Sequence, residues 1–429
     1  MQIAIFEDPL IDRFKPLTYT KAFFDLRTGM YSFAERIKKE LGSLDAIWIR
    51  KYLEGVYKER LSNVNINSIY TDEDLLLVNS RLLVSRKVIQ SIEDKIRNKE
   101  TMVITASASP LLVKVKRKLA EELLGSFNKN YEDFAKKCKE IGNEMSLKDA
   151  TVMNYPWDLI DVNAKMIKED FSSVRGKEWE GEVDERAVIY GDKSNVYVSK
   201  GARVEAFSVL DAREGPIFIG ENTRVAPGAL IEGPAYVGKN SLIVAHALIR
   251  EGTNIGDVCR IGGEVEESII HGFSNKYHAG FLGHAYVGEW VNLGALTTNS
   301  DLKNTYGTIK VIVEGEKVDT GLTKIGSFIG DMAKTSIGTL IYTGKKIGLS
   351  SHVHGVIYED VPSFTIYAKS FGTEPVEMYI EAAIETQRRM MSRRGKELTK
   401  AEEDLIRKLF EMTAKEREKA GVKKGRFML

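Results

Sequence analysis

The residues IGENTRVAPGALIEGPAYVGKNSLIVAHALIREGTNIGDVCRIG, at positions 219–262, repeat with a period of six. An aliphatic residue stands at every sixth position from Ile219 to Ile261, and from Val225 onward a small side chain precedes each one by two positions. The period of an α-helix and the alternation of a simple strand do not produce a repeat of six. Hexapeptide repeats are typical of a parallel β-helix. The stretch therefore predicts a left-handed parallel β-helix of about three hexapeptides per coil.

The same period returns downstream, from Phe281 to Leu293 and from Ile329 to Val353. Two stretches, residues 262–280 and about 299–324, fall out of phase with it. Coils hold such excursions rigidly, and loops that leave a solenoid commonly build its binding face. We therefore expect two loops that contribute to a site; the alternative is insertions that the fold merely tolerates.

The rest of the chain divides into three further regions. Residues 1–154 alternate short apolar strands with amphipathic helices, which predicts an α/β domain with a mainly parallel sheet. Residues 155–186 are a linker with a short helix, and 187–362 form the β-helix domain. Residues 363–429 are a C-terminal helical extension, in which Thr399 and Glu402 have the spacing of a capping box.

The composition narrows the classes of function. With 62 basic and 61 acidic residues the formal net charge is +1, which disfavours nucleic acid as a partner. No apolar run approaches the roughly 18 residues of a membrane span, so we expect a cytoplasmic protein without membrane contact. The two cysteines, Cys138 and Cys259, are far apart and are expected to be free thiols.

Several motifs carry a resemblance to a known family. In the amino-terminal part they are FEDP at 6–9, PLTYTK at 16–21, LRTG at 26–29 and YPWDL at 155–159. In the β-helix they are GEV at 263–265, GFSNK at 272–276, GFLG at 280–283 and GEWVNLGA at 288–295. The chain thereby resembles the bifunctional sugar-1-phosphate nucleotidyltransferase/acetyltransferases, especially their divergent N-acetylglucosamine-1-phosphate uridylyltransferase and glucosamine-1-phosphate N-acetyltransferase-like branch. The resemblance implies an α/β nucleotidyltransferase-like domain, a left-handed parallel β-helix and C-terminal helices.

For the amino-terminal domain, the resemblance implies attack of a sugar-1-phosphate on a nucleoside triphosphate, with release of pyrophosphate. Arg13 and Lys21 stand where the family has phosphate-binding cations; the alternative is that they are ordinary surface charges. Standard members place a Mg²⁺-binding aspartate where this chain has Asn79, and an amide is a poorer ligand for a hard cation.

Three alternatives for the metal follow from this departure. Asp8 or Asp158 supplies the metal ligand, Arg81 replaces the metal charge, or the domain no longer turns over. The loop from Asp8 to Ala22 also contains no glycine, whereas standard members use glycine amides there to cradle phosphate.

For the β-helix, the resemblance implies transfer of an acetyl group from acetyl-CoA to the amine of a hexosamine phosphate. His278 matches the family's general base, Arg250 its acceptor-phosphate ligand and Asn292 its sugar-binding asparagine. Ala295 and Asp331 match positions that line the pantetheine of acetyl-CoA, which in this family lies between the subunits of a homotrimer. The chain has six histidines, and all of them fall in the β-helix region: His246, His271, His278, His284, His352 and His354.

The leading hypothesis is a bifunctional enzyme of nucleotide-sugar synthesis that uses a nucleoside triphosphate, a sugar-1-phosphate and acetyl-CoA. One alternative is an acyltransferase with an inactive nucleotidyl domain, which Asn79 and the missing glycines favour. Another is a non-catalytic subunit that binds sugar nucleotides. No motif identifies the base of the nucleotide or the sugar.

Overall fold

The computed structural model describes residues 1–69, 73–106, 109–141, 144–146 and 150–427. The chain forms two compact units. The first comprises Met1–Phe14, Thr20–Leu26 and Tyr31–Tyr155. The second comprises Lys15–Tyr19, Arg27–Met30 and Pro156–Leu429. Two short segments from the first 30 residues thus belong to the second unit.

The first unit is built on a seven-stranded sheet. Its strands, in spatial order, are Asn65–Ile66, Ala46–Trp48, Gln2–Phe6, Leu75–Asn79, Ser109–Val115, Met102–Ala106 and Glu144–Ser146. Ser109–Val115 runs antiparallel to both of its neighbours, and the other pairings are parallel, as predicted. The helices of this unit are α1 (Phe33–Leu41), α2 (Glu54–Arg60), α3 (Arg86–Asn98), α4 (Arg117–Lys129) and α5 (Tyr131–Glu140).

The second unit is dominated by a left-handed parallel β-helix, which confirms the predicted fold class. Its first face, called face A, contains strands Glu182–Val183, Arg203–Val204, Arg224–Val225, Leu242–Ile243, Arg260–Ile261, Asn275–Lys276, Lys334–Thr335, His352–Val353 and Thr365–Tyr367. Asn292 bridges Asn275 and Lys334 on this face.

Faces B and C complete the triangle. Face B contains Val188–Tyr190, Val209–Asp211, Leu230–Glu232, Leu248–Ile249, Glu264–Glu266, Phe281–Gly283, Thr298–Asn299, Leu340–Ile341 and Val356–Ile357. Face C contains Val196–Val198, Ile217–Ile219, Ala235–Val237, Thr253–Ile255, Ile269–Ile270, Tyr286–Val287, Phe328–Ile329 and Lys346–Ile347.

The hexad residues form the core of the β-helix. Val225, Ile243 and Ile261 stack on one another in successive coils of face A, and all three are fully buried. Each such side chain contributes about 1.5–3 kcal/mol when it is removed from water. Cys259 is also buried in this core, and both cysteines are free thiols as predicted.

The prediction that residues 262–280 leave the coil as a loop is wrong. The chain continues the coil there through the strands Glu264–Glu266, Ile269–Ile270 and Asn275–Lys276. Val265 and Ile270 fill the core only four and five residues after their predecessors, because the corners between the strands are shorter. The six-residue repeat of the sequence is therefore interrupted here, although the β-helix continues.

The second predicted loop is confirmed. After Thr298–Asn299 the chain leaves the coil and forms an antiparallel hairpin of Lys310–Val313 and Glu316–Asp319. It returns through an antiparallel bridge between Leu302 and Lys324.

Helices cover two faces of the β-helix. Helices α6 (Pro156–Asp161) and α7 (Asn163–Phe171) lie on face C, where the Asn163 side chain donates to the Gly252 carbonyl at 2.8 Å. Helix α8 (Ile380–Ser392) lies beside face A and is followed by α9 (Lys400–Met412) and α10 (Ala414–Lys419). The predicted capping box of Thr399 and Glu402 opens α9. Among the described residues, no helix is long and apolar enough to cross a membrane.

Candidate functional site

A cleft of about 530 Å³ lies at the corner where face A turns into face B. Three of the predicted site residues, His278, Asn292 and Ala295, line this one cleft. The other lining residues are Leu242, Arg260, Asn275, Tyr277, Leu293, Gly294, Ile337, Arg393 and Arg394. Successive coils therefore bring together an imidazole, a side-chain amide and a small residue from separate motifs.

His278 lies two residues after the end of the face A strand Asn275–Lys276 and is exposed in the cleft. Its ring lies edge-on to the Tyr277 ring, with 5.2 Å between the ring centres. An exposed imidazole in a cleft has the access to solvent and substrate that a general base requires.

Lys276 supports the backbone at His278 from inside the coil. It occupies the inward position after Ile261, and only 3% of it is exposed. Its Nζ donates to the carbonyls of Gly262 (2.9 Å), Gly280 (2.5 Å) and His278 (3.4 Å). Burial lowers the pKa of Lys276 to about 8. Sequence analysis missed this residue, since a lysine inside a hydrophobic period reads as a break in the period.

Asn292 is oriented by a short chain of hydrogen bonds. The Asn275 amide donates to Asn292 Oδ1 at 3.2 Å, and Arg394 Nη2 donates to Asn275 Oδ1 at 2.7 Å. The guanidinium that follows α8 therefore fixes the direction of an amide in the cleft.

Arg250 and Asp331 do not line this cleft. Arg250 lies on face B, with its guanidinium 3.3–3.7 Å from the carboxylates of Glu232, Glu251, Glu264 and Glu266. Burial opposes its charge, but the neighbouring glutamates hold the pKa of Arg250 above its usual value. Asp331 is buried, and its Oδ1 accepts a hydrogen bond from the Glu289 amide at 2.7 Å.

A second cluster on the same unit centres on His284, which sequence analysis did not select. Its Nδ1 lies 2.8 Å from Asp301 Oδ2, and its Nε2 lies 3.0 Å from Glu267 Oε2. Burial opposes the charge of the imidazole, but the two carboxylates outweigh it and raise the pKa of His284 to about 9. His284 is therefore an imidazolium at neutral pH and a poor base.

The first unit has its own cleft, of about 540 Å³. It lies beyond the carboxyl ends of the parallel strands Gln2–Phe6 and Ala46–Trp48, where α/β sheets commonly bind ligands. Its lining residues are Glu7, Asp8, Pro9, Ile11, Asp12, Ile49, Arg50, Lys51, Glu54, Asn67, Phe127, Asn128 and Tyr131.

The predicted phosphate ligands Arg13 and Lys21 do not line this cleft. The Arg13 guanidinium lies over the Tyr155 ring, 5.2 Å from its centre, and Lys21 is buried. Arg50 and Lys51 supply the cations of the cleft, and Arg50 pairs with both oxygens of Glu7 at 3.0 and 3.1 Å. Sequence analysis missed both residues because they follow an ordinary strand and belong to no motif.

Asp8 is a buried acceptor in this unit. Its two carboxylate oxygens accept hydrogen bonds from Arg81 at 2.8 and 2.6 Å, and the Asn79 amide donates to it at 2.9 Å. Asp8 and Arg81 form an ion pair whose side chains are at most 2% exposed. Asp158 lies in α6 of the second unit.

These contacts fit Mg²⁺ poorly at Asp8, because a cation there would have to displace a buried guanidinium. Among the described residues, no group of three or more His, Cys, Asp or Glu side chains is arranged to hold a metal ion. Arg81 is not among the described residues that line the cleft, and its charge is paired with Asp8, so these contacts do not support Arg81 as a substitute for the metal charge.

Known proteins with similar sequences include nucleotidyltransferases and acetyltransferases. Residues 3–178 match a family model described as sugar nucleotidyl transferase. A bifunctional sugar-1-phosphate nucleotidylyltransferase/acetyltransferase of Sulfurisphaera tokodaii is 36% identical over 152 residues, covering 34% of this chain and 38% of that protein. The bifunctional protein GlmU of Methanococcus aeolicus is 28% identical over 275 residues, covering 62% of this chain and 59% of that protein.

A third relative matches more of its own length. The uncharacterized acetyltransferase YaiX of Escherichia coli is 31% identical over 170 residues, which cover 39% of this chain and 74% of that protein. The chain spans less than two thirds of the length of the first two relatives.

Proposed function

The chain belongs to the family of bifunctional sugar-1-phosphate nucleotidyltransferase/acetyltransferases, and from that premise we propose that its β-helix catalyses an acetyl transfer. The donor is acetyl-CoA and the acceptor is the amine of a hexosamine phosphate. The observation that supports this proposal most directly is the meeting of His278, Asn292 and Ala295 in one cleft.

In the proposed reaction, His278 is the general base. It takes a proton from the acceptor amine as the nitrogen attacks the thioester carbon of acetyl-CoA. The tetrahedral intermediate then collapses, the carbon–sulfur bond breaks, and the coenzyme leaves as a thiol after protonation. Asn292 orients the sugar, and the hydrogen bonds from Lys276 hold the backbone that carries the base.

For the first unit, we propose nucleotidyl transfer from a nucleoside triphosphate to a sugar-1-phosphate. Of the two cations that line its cleft, Lys51 is the better candidate for the triphosphate, because Arg50 is already paired with Glu7. Phosphoryl transfer depends mainly on positioning and charge stabilisation. Arg13 and Lys21 stay predictions for the same role. Mg²⁺ would reduce the negative charge of the triphosphate, and Asp8 and Asp158 stay predictions as the residues that would hold it.

The Asp8–Arg81 pair favours a second candidate, an acyltransferase whose first unit no longer turns over. A buried, paired carboxylate is a poor ligand for an incoming cation, and separating the pair would leave a charge uncompensated. The two candidates differ only in whether pyrophosphate is released.

We also propose a homotrimer acting in the cytoplasm. Large apolar side chains are exposed along the β-helix, including Ile337 (78% exposed), Tyr342 (55%) and Leu340 (47%). Such exposure is typical of a subunit interface. Ile337 also lines the His278 cleft, so a neighbouring subunit would border the site.

The test is a substrate panel with the whole protein. Release of coenzyme thiol is followed with acetyl-CoA and hexosamine phosphates, and release of pyrophosphate with nucleoside triphosphates and sugar-1-phosphates, with and without Mg²⁺. The bifunctional proposal predicts both products. Thiol without pyrophosphate supports the acyltransferase alone, and the absence of both products contradicts an enzymatic function.

A further inference from the structure

Five cationic side chains line the His278 cleft and the adjoining groove beneath α8, and four of them, all except Arg389, form no ion pair with a described residue. Arg260 and Lys334 project from strands of face A, on either side of Asn275 and Asn292. Arg393 and Arg394 follow the last residue of α8 and line both spaces. The positive charges therefore come from two separate parts of the chain.

These four cations lack acidic counterparts in the part of the chain that the structure describes. Arg260, Lys334, Arg393 and Arg394 form no salt bridge with any residue that the structure describes, and no carboxylate is among the described residues lining either space. By contrast Arg389, one turn earlier on α8, pairs with Glu385 at 2.9 Å. The chain as a whole has a formal net charge of only +1, so the excess of positive charge is a property of this site and not of the whole protein.

Two of the four positive charges, those of Arg394 and Lys334, are also held where water solvates them poorly. Burial, and then repulsion from Arg260 and Arg393, lower the pKa of Arg394, and its buried Nε lacks a hydrogen-bond partner among the described residues. Burial lowers the pKa of Lys334 to about 8, and its Nζ donates to the Met332 carbonyl. Charges kept in such a position are stabilised when an anion binds between them.

The dipole of α8 accounts for only part of this cluster. Cations are favoured at the carboxyl end of a helix, which explains Arg393 and Arg394. It does not explain Arg260 or Lys334, which belong to the β-helix and face the same space.

We infer that this cluster of Arg260, Lys334, Arg393 and Arg394 is a phosphate-binding site for a substrate of the acetyl transfer. The C-terminal helical extension would thus be part of the site. This inference rests on the proposed function and deepens it, because it assigns the substrate phosphate to these cations and not to Arg250, which is surrounded by glutamates. Guanidinium groups bind phosphate oxygens in pairs, which suits Arg393 and Arg394 to the task.

The phosphate belongs either to the hexosamine phosphate or to the coenzyme, and binding measurements distinguish the two. Calorimetric titrations use the full-length protein with glucosamine-1-phosphate against glucosamine, and with coenzyme A against 3′-dephospho-coenzyme A. The variants are Arg394→Gln and, on the more exposed neighbour, Arg393→Gln. The matched control is Arg388→Gln, which removes an arginine of α8 that pairs with Glu385 and Glu403 outside the cleft.

We expect each cleft variant to weaken binding of one phosphorylated ligand about tenfold or more, with no change for Arg388→Gln. Loss confined to glucosamine-1-phosphate assigns the acceptor, and loss confined to coenzyme A assigns the donor. Unchanged binding of both ligands in both variants overturns the inference. Because binding is measured without turnover, failure of acetyl transfer in the substrate panel leaves this test intact.

Thermal unfolding without ligand provides an independent readout. Removing one of several repelling cations should raise the melting temperature of Arg393→Gln, or leave it unchanged. A lower melting temperature would identify Arg393 as a structural residue and count against the site.

Discussion

The early and late coils of the β-helix share one fold but have different interiors. On face A the inward positions of the early coils hold Val225, Ile243 and Ile261. In the later coils Lys276 and Thr335 stand on either side of the aliphatic Leu293, and Val353 then resumes the aliphatic series. The predicted base and its neighbours lie only in the later coils. The difference shows that strict aliphatic repetition builds the support, and that polar inward residues appear where the support must position a chemical group.

Face B shows the same change in its hydrogen bonding. Asn299 occupies an inward position and is 1% exposed. Its side chain accepts from the Gly283 amide at 2.8 Å and donates to the Gly283 carbonyl at 2.9 Å. A side chain thus replaces backbone pairing where the coil is interrupted before the hairpin.

The largest effect is expected from placing a lysine in an early coil. Ile243→Lys would put an ammonium group among Val225 and Ile261, without the carbonyls that surround Lys276. A buried charge without partners should destabilise the fold by about 3–5 kcal/mol. Urea unfolding of the whole protein measures the change in the free energy of unfolding. A decrease below about 1 kcal/mol would mean that the early coils tolerate a buried lysine as well as the later coils do.

A smaller, pH-dependent effect is expected at Lys276. Its pKa falls from 10.5 to about 8 on folding, so between these values the unfolded chain binds more protons than the folded one. Stability should therefore rise with pH across this interval, by about 1–3 kcal/mol for this group.

Lys276→Met should remove that rise, and comparing its unfolding at pH 8 and 10 with that of the wild type isolates the contribution. If the free energy of unfolding changed equally with pH in the two proteins, the lowered pKa of the buried Lys276 would be contradicted. Thr335→Val is a suitable control, because it changes an inward polar residue that does not titrate.

The smallest effect is expected at His284, where the sign is opposite. Its pKa rises from 6.5 to about 9 on folding, so the stabilisation is fully present below pH 6.5 and disappears as the pH rises through 9. His284→Asn should therefore lose about 1–2 kcal/mol relative to wild type at pH 6, and less at pH 9.5. A deficit that grows with pH would exclude the imidazolium between Asp301 and Glu267.

Sequence analysis predicted the early coils well, because one inward aliphatic per strand leaves a periodic signal. The prediction failed at residues 262–280, where shorter connections between strands shift the six-residue repeat. In the sequence, a break in the repeat looks the same whether the chain leaves the coil or only shortens the connection between two strands. Sequence analysis selected His278, Asn292 and Ala295 through motifs, and the structure places them in one cleft.

Other contacts have no local signal. Arg81 pairs with Asp8 across 73 positions, and Arg394 reaches Asn275 across 119. Sequence spacing does not show which face a C-terminal helix covers, so the cations that follow α8 could not be assigned to the cleft. The glutamates around Arg250 come from three coils, so their spacing in the sequence did not show that they surround one guanidinium.

The proposed acetyl transfer depends on the imidazole of His278, which acts as the base at the corner of faces A and B. The most direct test is the rate of acetyl transfer to a hexosamine phosphate by His278→Asn, with His246→Asn as the control on another exposed histidine of the β-helix. We expect His278→Asn to lower kcat at least about a hundredfold and His246→Asn to retain wild-type activity. Equal, near-wild-type rates in the two variants would contradict it.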